Sequence, residues 1–153
     1  MSVETMKIEP VTVHNVAEAR QLVLNGLLDY FAELDKNMNP DLYGILQTYT
    51  QPGSLFVVGI IGNSVVATGA FYKERDKTAR ICRMSVAKTH RRKGLAKQIL
   101  DFLEMKAIEF GFEQLVIETT VGWEKPIKLY KSHGYHVTHI AHGEVHLQKS
   151  LIY

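Results

Sequence analysis

Cysteine appears once, at Cys82, among 153 residues. A lone thiol excludes an internal disulfide and fits a reducing compartment, so the cytoplasm is the expected location. No apolar run approaches the roughly 20 residues that a membrane span needs. The opening Met1-Ser2-Val3-Glu4-Thr5-Met6 has neither the basic start nor the apolar core of a secretory signal. The expectation is a protein that neither crosses a membrane nor is sent across one. A strong charge excess is missing too: 18 Lys and Arg against 16 Asp and Glu leave a formal +2, too mild for a dedicated nucleic-acid binder. Linkers, repeats and low-complexity tracts are also lacking. That leaves one domain over residues 1–153, long enough to bury a core.

What basic excess exists is local. Arg83, Lys88, Arg91, Arg92, Lys93 and Lys97 fall within a short stretch, and no aromatic ring interleaves Lys88 to Lys97 as a single-stranded nucleic acid would require. One compact polyanion suits such a cluster better than a polymer does.

Hydrophobic periodicity alternates between the strand and helix periods along the chain. Lys7 to Val13 has strand character broken by Pro10, and Asn15 is placed to cap a helix through Ala19, Leu22, Val23, Leu27 and Phe31. A short helix follows Pro40. The turn Pro52-Gly53 precedes a meander of three strands, two of them joined at Gly62-Asn63 and the third running from Ala79 to Ala87. The period then becomes helical through Leu95, Ile99, Phe102, Leu103 and Ala107, ending at Gly111. Leu115-Val116-Ile117 reads as a strand, Pro126 to His133 as a short helix closed by Gly134, and Tyr135 to Ile140 and Glu144 to Ile152 as a last hairpin turning at His142-Gly143. About seven strands and four helices imply an α/β (α+β) protein with a mixed sheet flanked by helices.

The switch from strand to helix period carries the most informative segment, Arg91-Arg92-Lys93-Gly94-Leu95-Ala96. At a helix N-terminus the first N–H groups have no intrahelical partner and the helix dipole is positive, so an anion is the natural guest. Gly94 removes a Cβ where a phosphate must approach the backbone, and small Ala96 keeps the first turn clear. Gly94-Leu95-Ala96-Lys97-Gln98 lacks the second spaced glycine and the Ser/Thr of a Walker loop, and no G-x-G-x-x-G follows an early strand.

Ser85-Val86 at a strand end, Arg91-x-x-Gly94-x-Ala96 opening a helix, and Leu129-Tyr130 shortly before Gly134-Tyr135 together resemble the GNAT superfamily of acetyl-CoA-dependent N-acetyltransferases. The resemblance covers nearly the whole chain, including the order of elements. It implies a largely antiparallel mixed sheet of about seven strands, splayed in the middle. It implies acetyl-CoA as co-substrate, its pyrophosphate on the N–H groups of Arg92, Lys93, Gly94, Leu95 and Ala96 with side chains from Arg91 and Lys97. Backbone groups of Met84, Ser85 and Val86 would pair with the pantetheine amides. Tyr130 would face the departing sulfur as general acid. An unperturbed phenol of pKa about 10 is a weaker acid than a thiol of about 8.5, so donating a hydrogen bond to the developing thiolate is the safer role. The family pattern often has an asparagine before the tyrosine helix; here Trp123-Glu124-Lys125 occupies that region, with Lys125 a possible substitute contact.

An attacking amine must first lose a proton. Glu118, at the end of the strand bordering the splay with Thr119 and Thr120 beside it, is the proposed base, and Glu74 is a second candidate. Strand alternation puts Cys82, Met84 and Val86 on one face and Ile81, Arg83 and Ser85 on the other unless a bulge intervenes. Cys82 reads as a buried small hydrophobe rather than a nucleophile. His133, His136, His139, His142 and His146 crowd the C-terminus, but on strands their spacing scatters them, and no metal site is expected. The acceptor groove maps to Leu28 through Thr50 and to His139 through Glu144, with Asp29, Glu33, Asp35 and Asp41 beside Tyr30, Phe31, Tyr43 and Tyr49. The expected partner is a primary amine on a small molecule, amino acid or peptide, attacked directly in a ternary complex by a monomer or homodimer. A non-catalytic acyl-CoA-binding or regulatory module is the alternative.

Overall fold

A computed structural model describes residues 5–29 and 39–152. Seven strands form one sheet in the order β1-β2-β3-β4-β5-β7-β6. They are β1 (Lys7–Pro10), β2 (Leu55–Ile61), β3 (Ser64–Arg75), β4 (Thr78–Val86), β5 (Gln114–Thr120), β6 (His136–Ala141) and β7 (Glu144–Ser150). All neighbours are antiparallel except β4 and β5. Four α-helices are described: α1 (Val16–Leu28), α2 (Ile45–Tyr49), α3 (Leu95–Glu109) and α4 (Glu124–Ser132), with short 3-10 turns at Pro40–Tyr43 and Lys88–His90. The expected architecture of a mixed, largely antiparallel sheet flanked by helices is the one observed.

The helices divide the apolar side chains into two layers. Ile99, Leu100 and Leu103 of α3 are fully buried with Phe71, Leu115 and Leu147 on one face of the sheet, where Phe112 meets Phe71 edge-on at 5.8 Å. Ala19 and Val23 of α1 and Ile45 and Tyr49 of α2 pack on the other face, over Phe56, Val58 and Ala70. The apolar repeat of α3 at i, i+4, i+5 and i+8 supplies its buried stripe, and Gly111 with φ 91° ends it by reversing the chain as a left-handed residue can.

Three local readings of the sequence change. Asn15 precedes α1, but its side chain accepts the Thr12 N–H at 2.8 Å and makes no capping bond to the helix. β1 ends at Pro10, and Val11 N–H still reaches the Phe56 carbonyl at 2.9 Å. α1 ends at Leu28, and Phe31 lies outside the described residues, as do Tyr30, Glu33 and Asp35.

The fourth difference positions the site. Thr68 pairs with Ser85 and Ala70 with Cys82, so three residues of β3 span four of β4. The extra residue is a β-bulge in which Arg83 takes φ 54°. Past it the alternation shifts by one: Ile81, Met84 and Val86 join the α3 layer, whereas Cys82 packs under α1 and α2 and Ser85 Oγ reaches toward the Leu22 carbonyl of α1 at 3.4 Å. Gly69 lies opposite the bulge, where an added Cβ would run into Ile99, Met84 and Leu103. β4 pairs with β5 only at Thr78–Gln114, Ala79–Leu115 and Arg80–Val116. Beyond those rungs the two strands part, and this is the splay.

Candidate active site

The gap between β4 and β5 opens into a cleft of about 1610 Å³ lined from both faces of the sheet. At one end it is bounded by the turn that leads into α3. Arg92 (φ 63°) and Gly94 (φ 77°) hold left-handed conformations there, and a Cβ added to Gly94 would meet no protein atom within 4 Å. Alternating backbone signs turn successive N–H groups toward one side, the geometry of an anion nest, and the N-terminus of a 15-residue helix continues it. The residues present therefore suit a pyrophosphate.

Arg91, Arg92, Gly94, Leu95, Ala96 and Lys97 all line this cleft, and so do Met84, Ser85, Val86, Glu118, Lys125 and Tyr130. Lys93 is exposed and is not among the lining residues. The Arg91 guanidinium pairs with Asp29 at the end of α1 at 2.7 Å and donates to the Val86 carbonyl at 3.2 Å. Lys88 joins the same carboxylate at 3.0 Å. Hydrogen bonds from Arg91 and Lys88 hold Asp29 below the usual carboxylate range. Arg91 thus braces the loop against α1, leaving Arg92 and Lys97 as the loop's lining cations with no ion pair among the described residues.

Tyr130 sits on α4, 6% exposed, with its ring 6.1 Å from Tyr135 in an edge-on contact. Pro126 is in the first turn of α4, and the Tyr135 N–H closes on the Tyr130 carbonyl at 3.0 Å, so both ends of this short helix are fixed. Tyr135 in turn donates to Glu104 of α3 at 2.9 Å. Tyr130 lines the cleft with its ring set against Tyr135.

On the face under α1 and α2 the cleft is lined by ionised side chains already paired with one another. Arg83, aimed by its bulge, makes two contacts to Asp41 at 2.6 and 2.9 Å and donates to Asn39 at 3.1 Å. Tyr49 adds a hydrogen bond to Asp41 at 2.7 Å. Burial pushes Asp41 up, but Arg83 and Tyr49 together outweigh it and hold the carboxyl below its ordinary value. Burial raises the Cys82 thiol to about 11, so it is protonated at neutral pH and unsuited to act as a nucleophile. Of the acidic residues read as attractors for a cationic acceptor, Asp29 and Asp41 are committed to arginines.

Glu118 projects from β5 at the same opening. Its carboxylate is 3.4 Å from Arg80 Nη1 and 3.5 Å from His146 Nδ1. Arg80 is bound more closely to Glu74, at 2.8 and 3.1 Å. Glu74 is therefore the anchor of Arg80, and the arginine holds its carboxyl below the usual range. Burial, then the neighbouring carboxyl of Glu144, raises Glu118 instead. Sequence reading did not single out Arg80, gave Glu144 only as the end of the acceptor groove, and weighed His146 only as one of the C-terminal histidines. The signal was the β5–β7 register, which sets Glu118 opposite His146 and Thr120 opposite Glu144. The crowded histidines separate: His139 stacks on His146 at 4.2 Å, while His133, at the end of α4, approaches Asp101 at 2.9 Å.

A seven-stranded sheet splayed after a single parallel pairing, with a helix N-terminus at one end of the gap and a buried tyrosine lining it, is the arrangement that the sequence resemblance implied. Residues 22–135 match the family model described as "Acetyltransferase (GNAT) family", and the chain belongs to that family. It is 34% identical over 110 residues to human N-acetylaspartate synthetase, covering 68% of this chain and 35% of that protein. The chain thus spans about a third of that relative's length. In structure it resembles a GNAT-family acetyltransferase of Staphylococcus aureus (TM-score 0.87, 18% identity, 97% of this chain and 100% of that one). It also resembles the PaiA N-acetyltransferase of Thermoplasma acidophilum in complex with coenzyme A (TM-score 0.82, 11% identity, 95% and 99%). No helix among the described residues is long and apolar enough to cross a membrane.

Proposed function

We propose that this protein is an N-acetyltransferase that moves an acetyl group from acetyl-CoA to a primary amine by direct attack in a ternary complex. The observation that carries the reading is the continuity of the cleft: it joins the turn at Gly94 to Tyr130 through the gap between β4 and β5. In this reading the N–H groups from Arg92 to Ala96 hold the pyrophosphate, with Lys97 adding charge and Lys125 closing the opposite wall. Backbone groups of Met84, Ser85 and Val86 would pair with the pantetheine amides along the edge where β4 has lost β5 as a partner. In the same reading Tyr130 donates a hydrogen bond to the sulfur as it gains charge, and Glu118 takes the proton that the acceptor's ammonium must lose. The acceptor is a small molecule, amino acid or peptide with a primary amine. The cytoplasmic location expected for a chain with one thiol belongs to the same proposal.

The test is release of free thiol from acetyl-CoA with a panel of amines, amino acids, polyamines, aminoglycosides and peptides, run beside Tyr130→Phe. The variant is expected to lose about 10²-fold in turnover while coenzyme A affinity changes little. Unchanged turnover in Tyr130→Phe would remove the tyrosine from the mechanism. Tight coenzyme A binding with no amine above background would favour a non-catalytic acyl-CoA-binding module.

A further inference from the structure

We propose that Glu144 is a positioning residue for the acceptor's deprotonation, acting with Glu118 as one carboxylate pair that receives the proton of the incoming ammonium. The inference rests on the acetyltransferase reading above and names a part of it that the sequence did not reveal.

The geometry is set by two strands. Glu118 of β5 and Glu144 of β7 are diagonal neighbours on one face of the sheet, and oxygen atoms of both lie with a His146 ring nitrogen inside a 4.8 Å group. Both carboxylates line the cleft. The charged and titratable groups around the pair come from four strands, with Tyr72 and Glu74 on β3 facing Glu118 and Arg80. Arg80 stands beside Glu118 on β4, His146 lies between the two on β7, and His139 of β6 stacks on His146. Arg80 is the one permanent cation, and its two contacts to Glu74 are shorter than its 3.4 Å approach to Glu118. Glu74 thus absorbs much of the charge that would otherwise make Glu118 a poor base. Two carboxylates this close resist ionising together, so the pair accepts a proton more readily than either group alone.

The step balances without a further reagent. The acceptor's ammonium gives one proton to Glu118. The nitrogen lone pair forms the new N–C bond to the acetyl carbon, the C–S bond breaks with its electron pair going to the coenzyme A sulfur, and the nitrogen's second proton passes to that sulfur beside the Tyr130 hydroxyl, leaving a neutral amide and free thiol.

The sign follows from the removed charge. With Glu144→Gln, Glu118 faces an amide in place of a carboxylate and becomes less basic. The acidic limb of kcat/KM, which falls as the base is protonated, is then expected to move roughly one pH unit toward acid. Glu144→Asp should restore most of the wild-type limb, and Glu118→Gln should remove the limb with about 10²-fold of the rate. A readout that needs no turnover runs in parallel: ¹³C NMR titration of the Glu118 carboxyl in the full chain, its signal assigned by loss in Glu118→Gln. It is expected above the ordinary glutamate range in the wild type and lower in Glu144→Gln. A Glu118 titration that Glu144→Gln leaves in place overturns the proposal even if the enzyme acetylates amines. A displaced titration in a protein that turns over no amine sustains the pair and instead overturns the acetyltransferase reading.

Discussion

Gly94 has two reasons to be glycine, and they can be separated. Its φ of 77° disfavours any side chain, and its missing Cβ would otherwise point into open space in the cleft, where nothing in the protein obstructs it. Gly94→Val is therefore expected to weaken coenzyme A binding more than Arg92→Ala, because it places a branched chain where phosphate must sit while the arginine adds one solvent-screened charge. Calorimetric titration of both variants measures the order, and a larger loss in Arg92→Ala would mean that charge rather than backbone holds the anion. To distinguish the backbone cost, Gly94→Asn tolerates the left-handed conformation yet still fills the space, and it should also bind weakly. At this scale the sequence was informative where a residue type has one use: glycine at the start of α3 was readable, and so was Cys82 as a small side chain packed against the core, though the structure leaves it only partly buried. Arg83 was not, because nothing in an arginine announces a positive φ. Its conformation comes from pairing four residues of β4 against three of β3.

Element by element, β4 shows how one inserted residue redirects a strand's chemistry. Without the bulge, Met84 and Cys82 would share a face; with it, Met84 turns to α3 and Cys82 stays under α2. Gly69 makes room for this by leaving the space that Met84, Ile99 and Leu103 occupy. Gly69→Ala puts a Cβ 2.9 Å from Met84 Sδ and 3.0 Å from Leu103 Cδ1. Overpacking of that kind is expected to cost about 1–3 kcal/mol of stability. Because Met84 lines the cleft, coenzyme A affinity should fall with it. Chemical denaturation and ligand titration on the same sample check both; a variant as stable as the parent would show that the bulge does not depend on the missing methyl group. The periods of α3, α4 and the meander were legible in the sequence, since each is a local pattern of apolar residues. Which face each β4 residue uses, and that Glu144 stands beside Glu118, depended on strand pairing, which a single sequence does not encode in any one segment.

For the whole molecule, the consequential feature is the brevity of the contact between β4 and β5. Three rungs join the half of the sheet built on β1 to β4 to the half built on β5, β7 and β6. Apolar packing beneath α3 keeps the halves together, but the backbone of β4 beyond Arg80 has no strand on that side. Hydrogen exchange should then show the amides of Arg83 to Val86 and of Ile117 to Thr120 exchanging faster than those of β2 and β3, and slowing when coenzyme A is added. Saturating ligand at 100 times its dissociation constant should add about 2.7 kcal/mol to the stability of the fold. Equal protection with and without ligand would mean that the gap is closed by something other than a bound chain.

The pairing between β4 and β5 is, seen this way, an unfinished seam. A thioester-bearing arm laid along it would supply the amide groups that a neighbouring strand supplies elsewhere in the sheet. The protein would hold its most complete sheet only while loaded, and departure of the spent carrier would reopen the seam for the next.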